Sequence, residues 1–158
     1  MAVDRFAVDK MLGRLATWLR LLGYDATYGS HLGGLSLVRH ARAEGRTILT
    51  RDHRLQRQAI GVPLLLVDSD HFREQLRQVI AAFGLDPLAH PFTRCARCNA
   101  VVQPVPKAAI ATRVPPYVLA TQNCFVACPN CHRVYWPATH HELISRELGR
   151  LLSPTSAS

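Results

Sequence analysis

Lysine is almost missing from this sequence: only Lys10 and Lys107 stand among its 19 basic residues, and the rest are arginine. Acids are few as well, 11 against those 19, which leaves a formal charge of +8. Arginine's planar fork suits phosphates and base edges, so this balance favours a nucleic-acid partner, against the bland reading of a genomic bias that exchanges lysine for arginine. No stretch approaches the roughly 18 uninterrupted apolar residues of a bilayer-spanning helix, which excludes such a span. The amphipathic, basic start resembles a transit peptide, but Asp4 and Asp9 interrupt it and its pattern runs on into the domain, so neither a transit peptide nor a secretory signal is expected. We therefore expect a cytoplasmic chain with five reduced cysteines, which favours metal over disulfides.

What is present centres on the second half. Cys95-Ala-Arg-Cys98 and Cys128-Pro-Asn-Cys131 are two CxxC pairs on either side of residues 99–127. Two such knuckles supply the four thiolates of a closed tetrahedral zinc site. The alternatives are two disulfides or a redox pair, but neither CxxC opens a helix after a strand as a redox motif should. Cys124 then reads as a small buried residue. His132, His140 and His141 are unnecessary as ligands, and His140 alone stays a candidate site residue. With 158 residues, 48% of them hydrophobic, the chain fits one domain or a small domain plus a metal-stapled module.

Residues 5–84 alternate short apolar runs with helix-period segments. Arg5 to Val8 predicts a strand, and Met11, Leu12, Leu15, Ala16, Leu19 and Leu22 a helix ended by Gly23. Asp25 to Tyr28 predicts the next strand, Leu35 to Glu44 a helix closed by Gly45, and Thr47 to Thr50 a third strand. Leu64 to Val67 predicts a fourth, followed by a helix from His71 to Phe83. This order implies an α/β fold, a parallel sheet flanked by helices. Asp86-Pro87 and His90-Pro91 break the pattern, so an α/β domain is expected over 1–85. A small zinc-ribbon module with strand-like runs such as Tyr117 to Ala120 and a closing helix from His140 is expected over 92–152, and a disordered tail over 153–158.

In an open parallel sheet, ligands bind beyond the C-terminal ends of the strands. Asp9, Asp52, Asp68 and Asp70 follow strands there. Gathered carboxylates call for a cation, and Mg²⁺ or Mn²⁺ held by them would orient water against a phosphodiester. The competing reading makes each Asp a helix N-cap. Lys10, Arg14, Arg51 and Arg54 lie beside this edge as candidate phosphate contacts, each weighed against a solvated surface role. Arg94, Arg97 and Arg133 sit on the knuckles near Tyr135 and Trp136, a basic and aromatic mixture suited to single-stranded RNA. For Trp136 the competing role is packing the ribbon against the first domain.

The run Phe6-Ala7-Val8-Asp9-Lys10-Met11-Leu12-Gly13-Arg14-Leu15-Ala16, then Trp18-Leu19-Arg20-Leu21-Leu22-Gly23-Tyr24-Asp25, resembles the opening of the Mut7-C RNase domain. Glu44-Gly45-Arg46, Leu49-Thr50-Arg51-Asp52, Gln75-Leu76, Phe92-Thr93-Arg94-Cys95, Cys98-Asn99, the second cysteine pair, Tyr135-Trp136 and Thr139-His140 extend the resemblance over about residues 5–150. It implies a PIN-like nuclease fold with a C-terminal zinc ribbon. It further implies a metal-dependent endoribonuclease using Asp9 and Asp52, with Asp70 as a further member and Asp68 its competitor. Structural Zn²⁺ would sit on Cys95, Cys98, Cys128 and Cys131, and Mg²⁺ or Mn²⁺ on the acids. The family's acid at the start of the second helix is replaced here by Gly34, with Asp25 and Glu44 as candidate substitutes. That gap supports an alternative: an RNA-binding or ribosome-associated protein whose site has weakened. A third reading is a protein-interaction module that docks through the ribbon. The expected partner is RNA, with tRNA and rRNA as candidate targets, and a protein partner stays open.

Overall fold

The computed structural model describes residues 5–152. Four strands, β1 (Arg5–Val8), β2 (Asp25–Thr27), β3 (Thr47–Thr50) and β4 (Leu64–Leu66), form one sheet in the order β2-β1-β3-β4, with every pair parallel. The helices that link and follow them are α1 (Gly13–Leu21), α2 (Gly34–Glu44), α3 (His53–Gln58) and α4 (Phe72–Phe83). Side chains alternate across a strand, and the two faces find different partners. Phe6, Val8 and Leu49 pack with Leu15, Leu19, Leu76 and Val79 of α1 and α4. Ala7 and Ile48 pack with Leu37, Val38 and Ala41 of α2 and Leu55 of α3. β3 is buried throughout, as expected of a central strand covered on both sides.

Several sequence expectations need correction. Between β3 and β4 lies α3, where the sequence pattern predicts no element; Asp52 caps it by accepting the Arg54 backbone N–H. Tyr117 to Ala120 is no strand but part of α5 (Pro116–Thr121), opened by a proline at its first turn, where a missing N–H costs nothing. Cys124 is exposed and not buried. The ribbon's antiparallel sheet is instead β5 (Gln103–Val105), β6 (Phe125–Ala127) and β7 (Val134–Tyr135). The last helix, α6 (Pro137–Leu152), starts earlier than expected, and its Ile144, Leu148 and Leu151 join the core formed by α1 and α4. Arg73 of α4 holds Glu147 of α6 at 2.8 Å, and Arg77 donates to the Leu151 carbonyl at 2.8 Å. The expectation for the tail at 153–158 lies outside the described residues.

The two halves of the chain are joined closely at Gly23. Its φ is +92°, and a Cβ there would lie 1.9 Å from the His90 carbonyl oxygen, so only glycine lets the connecting segment cross the end of α1. The Phe92 N–H donates to the Leu21 carbonyl on the same path.

Candidate active site and metal centre

The strand order reverses between β1 and β3, so their connections diverge and leave a crevice at the C-terminal ends. Asp9 stands there, 2% exposed, with its backbone N–H bonded to the Leu49 carbonyl of β3. Thr50, fully buried at the end of β3, donates its hydroxyl to Asp9 Oδ2 at 2.6 Å and accepts the Asp52 backbone N–H at 3.0 Å. A hydroxyl has one proton, so this pair of bonds commits it to Asp9. Asp52 Oδ1 accepts from the Arg54 amide at 2.9 Å and lies 3.4 Å from Arg54 Nε. That amide bond holds the Asp52 carboxyl below the usual range. Asp52 is thus a helix cap, and its backbone N–H shares the Thr50 hydroxyl with Asp9.

Asp70 is 75% exposed in its side chain, with Oδ1 3.8 Å from His71 Nε2. It lines a cleft of about 350 Å³ with Lys10, Arg14, Tyr28 and Gln75. Asp68 is exposed and its backbone N–H is held by Gln78. Among the described residues, only the four cysteines form a group of three or more ligand side chains whose ligating atoms all lie within 4.8 Å of one another. The structure therefore links Asp9 to Asp52 through Thr50, and neither Asp68 nor Asp70 closes a group of three with them within 4.8 Å. Asp9 and Asp52 are the residues that could hold a divalent ion at this edge, and waters would have to complete its shell, as is usual for Mg²⁺.

Neither candidate substitute for the missing acid reaches this edge. Asp25 opens β2 at the opposite end of the sheet, bonded to Arg46 Nη1 at 2.7 Å and Asn99 Nδ2 at 2.7 Å. Burial pushes its carboxyl up, but these bonds prevail and hold it below the usual range. Glu44 is spent on the same Arg46, at 2.5 Å. Gly34 has φ +58° with open space where a Cβ would stand, so an acid there would need a left-handed backbone, which Asp tolerates better than most residues. Next to it, Gly33 lets the Lys10 stem lie within about 3.1 Å of the position a Cβ would take.

The cysteine site is more complete. Cys95 and Cys128 are buried, Cys98 and Cys131 half-buried, and Cys95 Sγ lies 3.7 Å from Cys131 Sγ. A tetrahedron with zinc–sulfur bonds of about 2.3 Å has edges of about 3.8 Å, so the four sulfurs fit zinc. The knuckles repeat each other: the Cys98 and Cys131 N–H groups each point at the sulfur three residues earlier, at 3.4 Å. Asn99 and His132 follow with φ of 68° and 64°, and their N–H groups return to the Cys95 and Cys128 carbonyls. Burial pushes the Cys95 thiol up, but hydrogen bonds from Tyr135 and from the Cys98 and Arg97 amides bring it down to about 7, ready to ligate as thiolate.

The first knuckle is docked on the outer edge of β2. Asn99 Oδ1 accepts the Ala26 N–H at 3.0 Å, while buried Arg20 donates to the Ala26 carbonyl at 2.7 Å and to the Ala96 and Arg97 carbonyls. Arg94, a candidate RNA contact, donates to the Asn99 carbonyl at 2.9 Å and sits 3.9 Å from Asp25. Trp136 packs beside Ile110, Val118 and Phe125 inside the ribbon. Arg97 and Arg133 do meet at one place, a cleft of about 400 Å³ that also holds Arg113 and His132. Lys10, Arg14, Arg51 and Arg54 are exposed around the acidic edge. The side chain of His140 lies outside the described residues. Sequence reasoning gave no role to Thr50, Gln75, Arg20 or Asn99, although each stands in a motif that carries the family resemblance.

One family model, that of the Mut7-C RNAse domain, matches residues 4–148. Among curated proteins and solved structures, none matches the chain.

Proposed function

The chain belongs to the Mut7-C RNase domain family, and from that premise we propose that it is a PIN-like endoribonuclease hydrolysing RNA phosphodiester bonds with Mg²⁺ or Mn²⁺. The observation that carries this reading is Asp9, a carboxylate buried at the crevice between β1 and β3 and oriented by Thr50, which also fixes Asp52. A buried carboxylate with one hydroxyl partner is costly unless a cation completes it, so the site favours a positive ligand. Asp9 and Asp52 would hold a divalent ion, which would activate water and neutralise charge on the phosphoryl oxygens. Asp70 is the third acid of this reading, preferred to Asp68 because it shares a cleft with Lys10 and Arg14. Those cations draw the phosphate backbone toward carboxylates that would otherwise repel it. The cluster of Arg97, Arg113 and Arg133 supports a role for the zinc ribbon in holding RNA.

One observation favours the alternative of a weakened, RNA-binding site: no third carboxylate joins Asp9 and Asp52 within 4.8 Å among the described residues, and Gly34 carries no acid. Fewer charged ligands hold a hard cation less tightly. Cleavage is therefore expected to be slow and to need Mn²⁺ or high Mg²⁺. Incubating the purified chain with labelled RNA across a series of divalent ions decides the matter. Metal-dependent fragments support the nuclease, and tight, salt-sensitive binding with no cleavage under any ion hands the reading to the binding protein.

A further inference from the structure

We propose that the surface between α1, α4 and α6 is an RNA groove leading away from the acidic edge, with phosphates on Arg14, Arg73, Arg77 and Arg150 and a base against the Trp18–Phe72 pair. This rests on the reading of the chain as an RNase and adds the path of its substrate. The four arginines line a cleft of about 420 Å³. It shares Arg14, His71 and Phe72 with the cleft that holds Lys10 and Asp70, so the two clefts adjoin and together line the surface from Lys10, the residue after Asp9, to Arg150 of α6. Among the described residues, the only carboxylate lining the cleft is Glu74, and it is engaged by the Ser69 hydroxyl. Glu147 braces the cations from beneath, bonded to Arg73 at 2.8 Å and Arg150 at 3.2 Å. A guanidinium has five N–H donors, so a bond or two to Glu147 leaves others for a phosphate.

The aromatic pair argues for a nucleic acid over a simple anion. Trp18 and Phe72 stack with centroids 5.9 Å apart at 20°, and both are only half-buried. The Arg14 guanidinium lies 3.9 Å over the Phe72 ring and that of Arg73 4.9 Å from it. Cations layered on rings offer flat faces beside phosphate donors, the combination that binds single strands without regard to sequence. An exposed base can take the place of a guanidinium on such a face, freeing the arginine for the backbone.

The test uses the Asp9→Asn chain, so that the probe, a fluorescent oligouridylate, stays intact. Adding Arg14→Gln and Arg150→Gln together should weaken binding about tenfold and flatten the log–log salt slope by about 1.4, since each phosphate left unneutralised on a single strand removes about 0.7. Arg39→Gln, on the exposed side of α2, should change neither. In a chain with the groove unaltered, RNA carrying 5-iodouridine should photocrosslink to the peptide containing Phe72. If the parent binds but the double variant binds as tightly with the same slope, or if crosslinks fall only in the ribbon, the groove is wrong while the RNase reading stands. If the parent binds no RNA at all, both fall together.

Discussion

Asp9→Asn should reduce RNA cleavage by at least about 100-fold, the loss expected when a charged group holding a catalytic ion is neutralised. The substitution keeps the size of the side chain, and its amide oxygen can still accept the Thr50 proton, so the hydrogen bond at 2.6 Å has a successor. Asp9 is 2% exposed, and removing a charge from such a place relieves desolvation. The variant should accordingly melt at the same temperature as the wild type or higher, and should bind RNA as well or slightly better. Activity and stability are expected to move in opposite directions, the mark of a residue kept for chemistry. Asp52→Asn should behave alike, because Asn caps a helix as well as Asp does. A variant that cleaves at the wild-type rate would remove Asp9 from the site, and one that loses activity only by unfolding would make it structural.

Removing the metal should have a comparably large effect on the ribbon. Structural zinc supplies on the order of 10 kcal/mol or more in small metal-folded modules. Here the buried residues around the knuckles are Cys95, Cys128 and Tyr135, and the ribbon's other cluster adds Ile110, Val114, Val118 and Phe125, a small core for a module to fold on by apolar burial alone. About one zinc per chain should be found by elemental measurement, with no position open for water on four thiolates. Cys128→Ser should make residues 95–136 sensitive to protease. Because α6 follows the ribbon but packs with α1 and α4, the nicked fragments should stay associated. Cys124→Ser, at an exposed thiol, should be without effect. Absence of metal from protein purified without chelators, or an unchanged protease pattern in Cys128→Ser, would refute the assignment.

The strands of the first sheet are legible in the sequence because each is bounded by a change of period: Thr47 to Thr50 is uniformly buried, and Gly45 ends α2 in a left-handed conformation, as a glycine after a helical run should. The cysteine spacing carries the metal centre for the same local reason. What escapes depends on contacts between distant segments. Arg20 reads as one more surface arginine on a helix, and only the return of the chain at Ala96 and Arg97 buries it. The charge of Arg94 is visible in the sequence, and its bond to the Asn99 carbonyl, set by knuckle geometry, is not. The groove arginines belong to α1, α4 and α6, and nothing in the spacing between Arg14 and Arg150 announces that they meet. The helix at Pro116–Thr121 is a different failure, since Pro115-Pro116 is a local start signal that the strand-like run behind it conceals.

The hold of the first knuckle on β2 has a consequence for the protein in solution. β2 is an outer strand, and a bare strand edge is a template on which another chain can add. At Ala26 that template is blocked on both counts, the N–H by Asn99 and the carbonyl by Arg20. Asn99 is held in place by the turn between Cys95 and Cys98 together with its bond to Asp25, and loosening the turn would weaken that hold. Chelated protein should therefore self-associate as well as lose its ribbon, and light scattering that stays flat after chelation would argue that the edge is guarded otherwise. In this arrangement a metal on the four cysteines would act as a remote guardian of the sheet, keeping one copy of the chain from recruiting the next.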